Sequence, residues 1–210
     1  SLFYFLPLVA LSAIVIMSVI PMIELKKVAY YWRINRTDAL SLAVTFFAVL
    51  AFGIDIGMGV GILCSITLLI QRASHPHIAE VGRIGNSEHF RNMDRHEVTL
   101  NSSVVVVRID ESLYFANAEY IEHYILELCG KKKGMRHLVF MFSSVNFIDA
   151  SAIEMFRSLI PKLKHRAICL HFSEVKGPVL DQIKNTDLLN MLEPGRMFLS
   201  TDKAVRALSK

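Results

Sequence analysis

The stretch GIDIGMGVG at residues 53–61 places four glycines and one carboxylate inside an apolar region, and its interpretation decides the fold. The surrounding residues 39–70 read ALSLAVTFFAVLAFGIDIGMGVGILCSITLLI. One continuous helix over this run would be about 48 Å long, which exceeds the roughly 30 Å of hydrocarbon in a bilayer. Gly53 and Asp55 interrupt the run. The sequence therefore predicts a hairpin of two short membrane helices over residues 39–70, joined by a tight turn.

The glycines of this stretch do not fit a phosphate-binding loop. A P-loop requires GxxxxGK[ST], and a dinucleotide fold requires GxGxxG between a strand and a helix; neither pattern is present. Gly53, Gly57 and Gly61 instead recur every four residues, which puts small residues on one face of a helix and favours packing against a neighbouring membrane helix. Two roles remain open for Asp55: a hairpin-tip carboxylate that reaches water, or a coupling carboxylate in an ion or proton pathway.

Charged residues are distributed unevenly along the chain. Residues 1–70 contain seven Asp, Glu, Lys or Arg side chains, whereas the remaining 140 residues contain thirty-five. Residues 2–20 contain no charge and are long enough to predict a membrane span. Residues 22–37 combine basic and aromatic side chains, as expected for an amphipathic segment at the cytoplasmic interface. Residues 1–72 are therefore predicted to be membrane segments.

The hairpin is flanked by Arg36 and Arg72. Because positive charges accumulate on the cytoplasmic side of membranes, both ends of the hairpin are expected to face the cytosol. The sequence thus predicts a multi-pass protein of the cell membrane, in contact with the lipid bilayer, whose polar part lies in the cytosol. The chain begins at Ser1 within a hydrophobic run, so we expect it to be part of a longer protein.

Several classes of function are disfavoured by composition. The net charge of +4 is mild, and basic residues are not interleaved with aromatics as a nucleic-acid groove requires. The three cysteines lack the paired spacing of a zinc or disulfide framework. His75 and His77 flank a proline but supply too few ligands for a metal site. We expect no nucleic-acid partner, no metal and no cofactor.

The polar part is predicted to comprise a linker over residues 73–96 and an α/β domain over residues 97–210. Four runs predict strands and alternate with helical patterns, which indicates a mostly parallel sheet covered by helices. Gly130 is expected to end the first helix, and Pro161 to kink or end the second one early. The predicted strands are Val104–Ile109, Leu138–Phe142, Ile168–Phe172 and Met197–Leu199; the helices begin at Asn117, Asp149 or Ser151, Pro178 and Thr201.

The polar part lacks a nucleophile elbow, a metal triad or an evident carboxylate pair, so the chain is not expected to be an enzyme. Its notable stretch is FIDASAI at residues 147–153, where a strand ends and a helix begins. Asp149 is a predicted N-cap, and Ser151 with Glu154 fits a capping box. In a second interpretation Ser151 is a phosphorylation site, because a phosphate would be favoured at the positive end of the helix.

The order of these segments resembles the C-terminal part of a SulP-family anion permease with its cytosolic STAS domain. This resemblance implies a secondary active transporter for an inorganic anion such as sulfate, coupled to H⁺ or Na⁺ or driven by anion exchange, and a homodimer. It implies that the STAS domain serves assembly or regulation, with a cytosolic protein partner as one option. The matching stretches are FYFLP (3–7), DALSLAVT (38–45), GIDIGMGVGI (53–62), RASHPHIAEVGRI (72–84), VRIDESLYFANAEYIE (107–122) and NFIDASAIEMF (146–156).

The resemblance also bears on individual sites. Ser151 aligns with the serine that is phosphorylated in STAS domains of anti-sigma-factor antagonists. The permease anion site is implied to lie between half-helices earlier in the chain, so no substrate-binding residue is assigned in this sequence. Two alternatives stay open: a membrane-tethered interaction module switched by Ser151 that transports nothing, and a carrier of the same architecture for bicarbonate or a dicarboxylate.

Overall fold

The computed structural model describes residues 8–22, 24, 30, 32–85 and 87–209. The chain divides into two compact units, Ser1–Leu69 and Ile70–Lys210. The beginning of the predicted span, residues 2–7, and much of the predicted amphipathic segment 22–37 lie outside the described residues.

The described part of the first unit is helical. Helix α1 covers Leu8–Val19, within the predicted span of residues 2–20, and continues into a 3-10 turn at Ile20–Met22. Helix α2 covers Arg36–Phe52, and its N-cap Asn35 accepts a hydrogen bond from the Thr37 amide at 3.0 Å. Helix α3 covers Ile54–Ser74. Among the described residues, α3 is the one helix whose length of 21 residues and apolar composition allow it to cross a membrane.

Two helices, α2 and α3, occupy the region of the predicted hairpin over residues 39–70, and they are longer than expected. Helix α2 has 17 residues and α3 has 21, so that together they extend beyond residues 39–70 at both ends. The helices continue through polar residues at both outer ends, because polar side chains there do not interrupt the backbone hydrogen bonds. The break between them is Gly53 alone, whose φ of +83° suits glycine. Asp55 lies in the first turn of α3.

The second unit is built on a six-stranded mixed sheet. Its strand order is β2-β1-β3-β4-β5-β6; the pairs from β3 to β6 are parallel, and β1 is antiparallel to both β2 and β3. The parallel portion agrees with the prediction. The strands are β1 (Ile78–Arg83), β2 (Phe90–Asn92), β3 (Val104–Ile109), β4 (His137–Met141), β5 (Cys169–Ser173) and β6 (Met197–Phe198).

The prediction of a linker over residues 73–96 is wrong where β1 and β2 form part of the sheet. Helix α3 extends to Ser74, and β1 and β2 occupy much of the chain between Ser74 and His96. Strand β1 pairs with β3 in a register that places Ile78 opposite Ile109. Glu80, Gly82 and the short length of β2 hide the alternation of apolar residues, so β1 is specified mainly by pairing with the distant β3, and β2 by pairing with β1.

Five helices accompany the sheet. Gly130 lies inside α4 instead of ending it, and α5 passes through Pro161 to His165, contrary to both predictions. Pro161 is tolerated because Leu159, Ile160 and Leu163 are buried around it, and their packing outweighs the lost backbone hydrogen bond. Helix α7 was not predicted. The helices are α4 (Ala118–Lys131), α5 (Ala150–His165), α6 (Gly177–Lys184), α7 (Leu188–Leu192) and α8 (Thr201–Leu208).

Apolar residues cover both faces of the sheet. On one face, helices α4 to α7 enclose the larger core, where the rings of Phe140, Phe142, Phe156 and Phe172 contact each other with centroids 4.9 to 6.2 Å apart. On the other face, a smaller core includes Ala204 of α8. Both cores hold the central strands rigidly, which fixes the loops at the carboxyl ends of β3 and β4.

A buried histidine on β5 is expected to make the stability of this unit depend on pH. His171 is 2 % exposed; its Nδ1 accepts a hydrogen bond from the Arg196 amide at 3.1 Å, and its Nε2 lies 3.1 Å from Nδ1 of His137. Burial, followed by the neighbouring His137 and Arg196, lowers the pKa of His171 to about 4. The unfolded chain takes up this proton near pH 6.5, so between these values it binds more protons than the folded chain.

We therefore expect the free energy of unfolding to fall as the pH falls from 6.5 to 4, with a contribution from His171 of up to about 3 kcal/mol. Urea unfolding of residues 70–210, followed by circular dichroism at several pH values, measures this dependence. His171→Gln should flatten it in this window, whereas His89→Gln, at an exposed loop position, should not. An unchanged pH dependence in His171→Gln would show that the buried ring does not cause it.

Candidate functional site

The loops after β3 and β4 meet at the carboxyl end of the sheet, where ligands commonly bind in α/β folds. Leu113 and Ile148 form an isolated parallel bridge between the loops. The Leu113 amide donates to the Phe147 carbonyl, and the Asp149 amide donates to the Leu113 carbonyl, each at 3.0 Å. The two loops therefore form one continuous surface at the start of α5.

Asp149 connects this surface to α5. Its Oδ1 accepts a hydrogen bond from the Ala152 amide at 2.9 Å, as an N-cap does, and its Oδ2 accepts one from the Phe115 amide at 2.8 Å. The predicted capping box of Ser151 and Glu154 is not formed: the cap is Asp149, and Glu154 accepts a hydrogen bond from Arg157 at 2.6 Å. Ser151 is exposed in the first turn of the helix.

Asn117 holds the first loop from inside. It is fully buried and precedes α4, but its side chain makes no hydrogen bond to that helix. Instead its Oδ1 accepts from the Tyr114 amide at 3.1 Å, and its Nδ2 donates to the Ser112 carbonyl at 2.8 Å. The sequence predicted a helix start at Asn117 but not this role in shaping the loop.

Two exposed aromatic rings accompany Ser151. Phe115 is 73 % exposed and Phe147 is 49 % exposed, and both belong to the two bridged loops. Exposed aromatic rings are enriched where proteins bind other proteins. The Ser151 hydroxyl thus lies at the positive end of a helix, directly after a loop that carries one of these exposed rings. The sequence pointed to Ser151 and Asp149 but gave no reason to select Phe115.

Removing the Asp149 carboxylate should destabilise the second unit. We expect Asp149→Ala to lower the free energy of unfolding by about 1–2 kcal/mol, because the Ala152 and Phe115 amides both lose their acceptor. Asp149→Asn should recover only part of the loss, because the asparagine oxygen can accept from the Ala152 amide while its Nδ2 cannot accept from the Phe115 amide. Asp181→Ala, at an exposed site in α6, should change the value by less than about 0.5 kcal/mol. If Asp149→Ala and Asp181→Ala lower the free energy of unfolding equally, Asp149 does not stabilise the domain as the acceptor for the Ala152 and Phe115 amides.

The glycines of the hairpin show where α2 and α3 approach each other. A Cβ atom at Gly57 would overlap the backbone of Val49, with the Val49 nitrogen only 2.6 Å away, and one at Gly61 would lie 2.6 Å from Thr45 Oγ1. One turn further along, the hydroxyls of Ser41 and Ser65 are 2.8 Å apart. The close contacts thus follow a four-residue repeat at positions 57, 61 and 65 of α3.

Gly53 does not belong to this packing face, contrary to the prediction. No atom of the described residues lies within 4 Å of the place where its Cβ would be, and its positive φ makes the turn between the helices. The four-residue repeat extends to Ser65 instead. Asp55 is exposed in the first turn of α3, where the helix dipole favours a carboxylate.

The two histidines of the His-Pro-His sequence make separate contacts. His77 Nδ1 lies 2.9 Å from Asp110 Oδ2, and the His75 ring lies 4.8 Å from the ring of Tyr120. Within the part of the chain that the structure describes, three or more His, Cys, Asp or Glu side chains nowhere form a group suited to a metal ion. Both histidines are therefore explained by local contacts.

Together, the capped helix, the bridged loops and the mixed sheet define an α/β domain, which follows a predominantly apolar helical unit in the chain. The family model described as the STAS domain matches residues 95–204. The chain belongs to the STAS-domain family.

Curated relatives extend the similarity to nearly the whole chain. The chain is 31 % identical to "Probable sulfate transporter 4.2" of Arabidopsis thaliana over 98 % of its own length and 32 % of that protein. It is 23 % identical to "High affinity sulfate transporter 2" of Stylosanthes hamata, over 97 % of its length and 32 % of that protein. The chain spans about a third of the length of these relatives. Their names describe transporters, in agreement with the expectation that the chain is not an enzyme.

A solved structure shows the same fold. The structure of the murine Solute Carrier 26 family member A9 anion transporter in the inward-facing state matches 87 % of this chain and 30 % of that chain, with a TM-score of 0.73 and 19 % identity. A second structure, titled "The overall structure of SLC26A9", gives a TM-score of 0.76 at 17 % identity over 88 % of this chain and 32 % of that chain. The chain therefore has the fold of the corresponding third of an anion transporter.

Proposed function

We propose that the chain is the C-terminal part of a secondary active anion transporter that carries sulfate across the cell membrane. The observation that carries this proposal is the alignment of 98 % of the chain, apolar helices and STAS domain together, with a sulfate transporter. We expect the whole protein to form a homodimer in the bilayer, with the STAS domain in the cytosol. The driving force is either coupling to H⁺ or Na⁺ or exchange for another anion.

In this mechanism the hairpin of α2 and α3 serves as scaffold. Transporters of this kind move a substrate-carrying bundle against a stationary group of helices in alternating access. The Gly57 and Gly61 contacts bring α2 and α3 together without intervening side chains, which suits a scaffold that keeps its shape during the cycle. The STAS domain then serves assembly or regulation.

Sulfate uptake with competing anions tests the substrate. The full-length protein is produced in cells that lack their own sulfate uptake, and labelled sulfate is measured with excess unlabelled sulfate, bicarbonate or succinate. We expect unlabelled sulfate to be the strongest competitor. Stronger competition by bicarbonate or by the dicarboxylate would identify a carrier of the same architecture for that anion and overturn the sulfate assignment.

Asp55 is proposed as a coupling carboxylate, and its substitution separates this role from a structural one. A carboxylate in the bilayer costs roughly 2.5 to 3.5 kcal/mol, which suggests a functional reason for keeping it in α3. Asp55→Asn should reduce sulfate uptake about tenfold and remove its dependence on external pH if Asp55 carries the coupling proton. If Asp55→Asn, at equal protein level, takes up sulfate with the wild-type pH profile, the role of Asp55 is to stabilise the start of the helix.

A second function is favoured by the surface around Ser151. The exposed hydroxyl lies just after Asp149 at the start of α5, next to the bridged loops that carry Phe115 and Phe147. These features suit a phosphorylation switch that controls a cytosolic protein partner, either within the transporter or in a membrane-tethered module that transports nothing. Phosphopeptide mass spectrometry of the protein from its native cells tests the modification. Detection of phosphate on Ser151 supports the switch, and its absence under all growth conditions contradicts it.

A further inference from the structure

A cleft of about 590 Å³ opens beside β1, β2 and β3, and every residue that lines it has a polar or charged side chain. Three guanidinium groups, two imidazoles, one amide and one carboxylate line it. The positively charged side chains are Arg91, Arg95 and Arg108, and the imidazoles are those of His77 and His96. With neutral histidines, three positive charges against one negative charge leave the cleft with a charge of +2.

The single carboxylate in the cleft, Asp110, is already neutralised. Its Oδ1 accepts from Arg108 Nε at 2.5 Å and its Oδ2 from Arg108 Nη2 at 3.0 Å, and His77 Nδ1 lies 2.9 Å from Oδ2. Burial alone would raise the pKa of Asp110, but the hydrogen bonds from Arg108 and His77 outweigh it and hold the pKa below its ordinary value. The ionised carboxylate therefore neutralises Arg108 and leaves the remaining arginines unbalanced.

Arg91 and Arg95 are these remaining cations. Arg91 is the exposed central residue of β2, and its neighbours in sequence, Phe90 and Asn92, are both buried. Neither Arg91 nor Arg95 forms an ion pair with any carboxylate of the described residues. The two guanidinium groups therefore face the cleft without an anion to balance them.

A defined turn places Arg95. Asn92 is 7 % exposed; its Oδ1 accepts from the Asp94 amide at 2.8 Å, and its carbonyl accepts from the Arg95 and His96 amides, both at 3.2 Å. The turn fixes the backbone from which Arg95 and His96 project into the cleft. Part of the geometry needed to hold a ligand is thus present before the ligand binds.

The geometry points to a binding site for a small tetrahedral oxyanion, sulfate or inorganic phosphate, held by Arg91 and Arg95. A dianion matches the charge of +2, and guanidinium groups bind such oxygens in pairs with charge-assisted hydrogen bonds. No apolar side chain lines the cleft to receive a nucleotide base or an acyl chain, which favours the inorganic ion. This site belongs to the STAS domain and stands whether or not the whole protein transports sulfate.

Isothermal titration calorimetry tests the site. The chain is purified in detergent and titrated with sodium sulfate and, separately, with sodium phosphate. The ionic strength is kept constant with sodium chloride, so that general charge screening does not change during the titration. We expect at least one of the two anions to bind, and the Arg91→Gln/Arg95→Gln double variant to weaken that binding by about tenfold or more. Arg136→Gln, an exposed arginine outside the cleft, should bind the anion as the wild type does.

Three results would overturn the proposal: no binding of either anion to the wild type, equal affinity in the wild type and the double variant, or an equal loss in Arg136→Gln. A further titration uses detergent micelles that contain phosphatidic acid. If the chain binds these micelles through Arg91 and Arg95 but binds neither free sulfate nor free phosphate, the cleft belongs to a lipid headgroup. That result would overturn the assignment to a free anion. Should the double variant fail to fold by circular dichroism, Arg95→Gln alone carries the comparison.

Discussion

Replacing Gly57 with leucine should abolish most sulfate uptake by the full-length protein. The Cβ atom alone would overlap the backbone of Val49, so α2 and α3 would have to separate along their line of contact. Overpacking of a close-packed interface typically costs about 1–3 kcal/mol and more where the backbone must move, which lowers the ratio of folded to unfolded protein about tenfold or more. The loss should appear both in the yield of monodisperse protein after detergent extraction and in uptake per cell.

Gly59→Leu is the matched control for this substitution. Gly59 lies two residues away in the same helix, but no described atom lies within 4 Å of its Cβ position. Yield and uptake should therefore stay close to wild type. A Gly57→Leu variant with full yield and full uptake would show that the two helices do not need this contact, and would remove the hairpin from the proposed scaffold.

Substituting Gly195 by alanine should have the largest effect on the STAS domain. Gly195 lies after α7, and its Cβ would overlap the carbonyl oxygen of Leu170 on β5 and lie 2.7 Å from that of Leu192. Strand β5 is an interior strand of the sheet, hydrogen-bonded to β4 and β6, so the collision cannot be relieved by a side-chain rotation. We expect Gly195→Ala to lower the free energy of unfolding by about 3 kcal/mol or more.

The control for this variant is Gly130→Ala. Gly130 lies within α4, and its Cβ would meet no atom of the described chain within 4 Å. Because alanine favours helices over glycine, this variant should be as stable as the wild type or up to about 1 kcal/mol more stable. Urea unfolding of residues 70–210 measures both variants. A Gly195→Ala loss of less than about 1 kcal/mol would contradict the close approach of this residue to β5.

The parallel part of the sheet could be predicted because its signals are local. The run of four valines in β3 predicts a buried strand by itself, and Asp149 precedes a helix with an apolar face at the spacing that a capped helix requires. The hairpin could be predicted for a similar reason, since its apolar length exceeds a single span and Gly53 interrupts it. Each of these features lies within a short continuous segment of the chain.

The remaining features depend on contacts between distant parts of the chain. Strands β1 and β2 contain polar residues and glycine, and β1 is specified by its pairing with β3. The cleft of Arg91, Arg95 and Arg108 could not be predicted without these strands, because the three arginines come together only through the antiparallel part of the sheet. Likewise, Pro161 remains helical because the buried side chains around it outweigh its local preference.

The proposal that the whole protein transports sulfate is tested most directly in liposomes that contain only the purified full-length protein. The measurement is the uptake of labelled sulfate. In this system no other protein can carry the ion, so a transporter and a membrane-tethered module give opposite results. We predict saturable uptake above that of protein-free liposomes, reduced by excess unlabelled sulfate and lost in Gly57→Leu but not in Gly59→Leu. Folded, correctly inserted protein that takes up no sulfate above the protein-free level would contradict the assignment as a sulfate transporter.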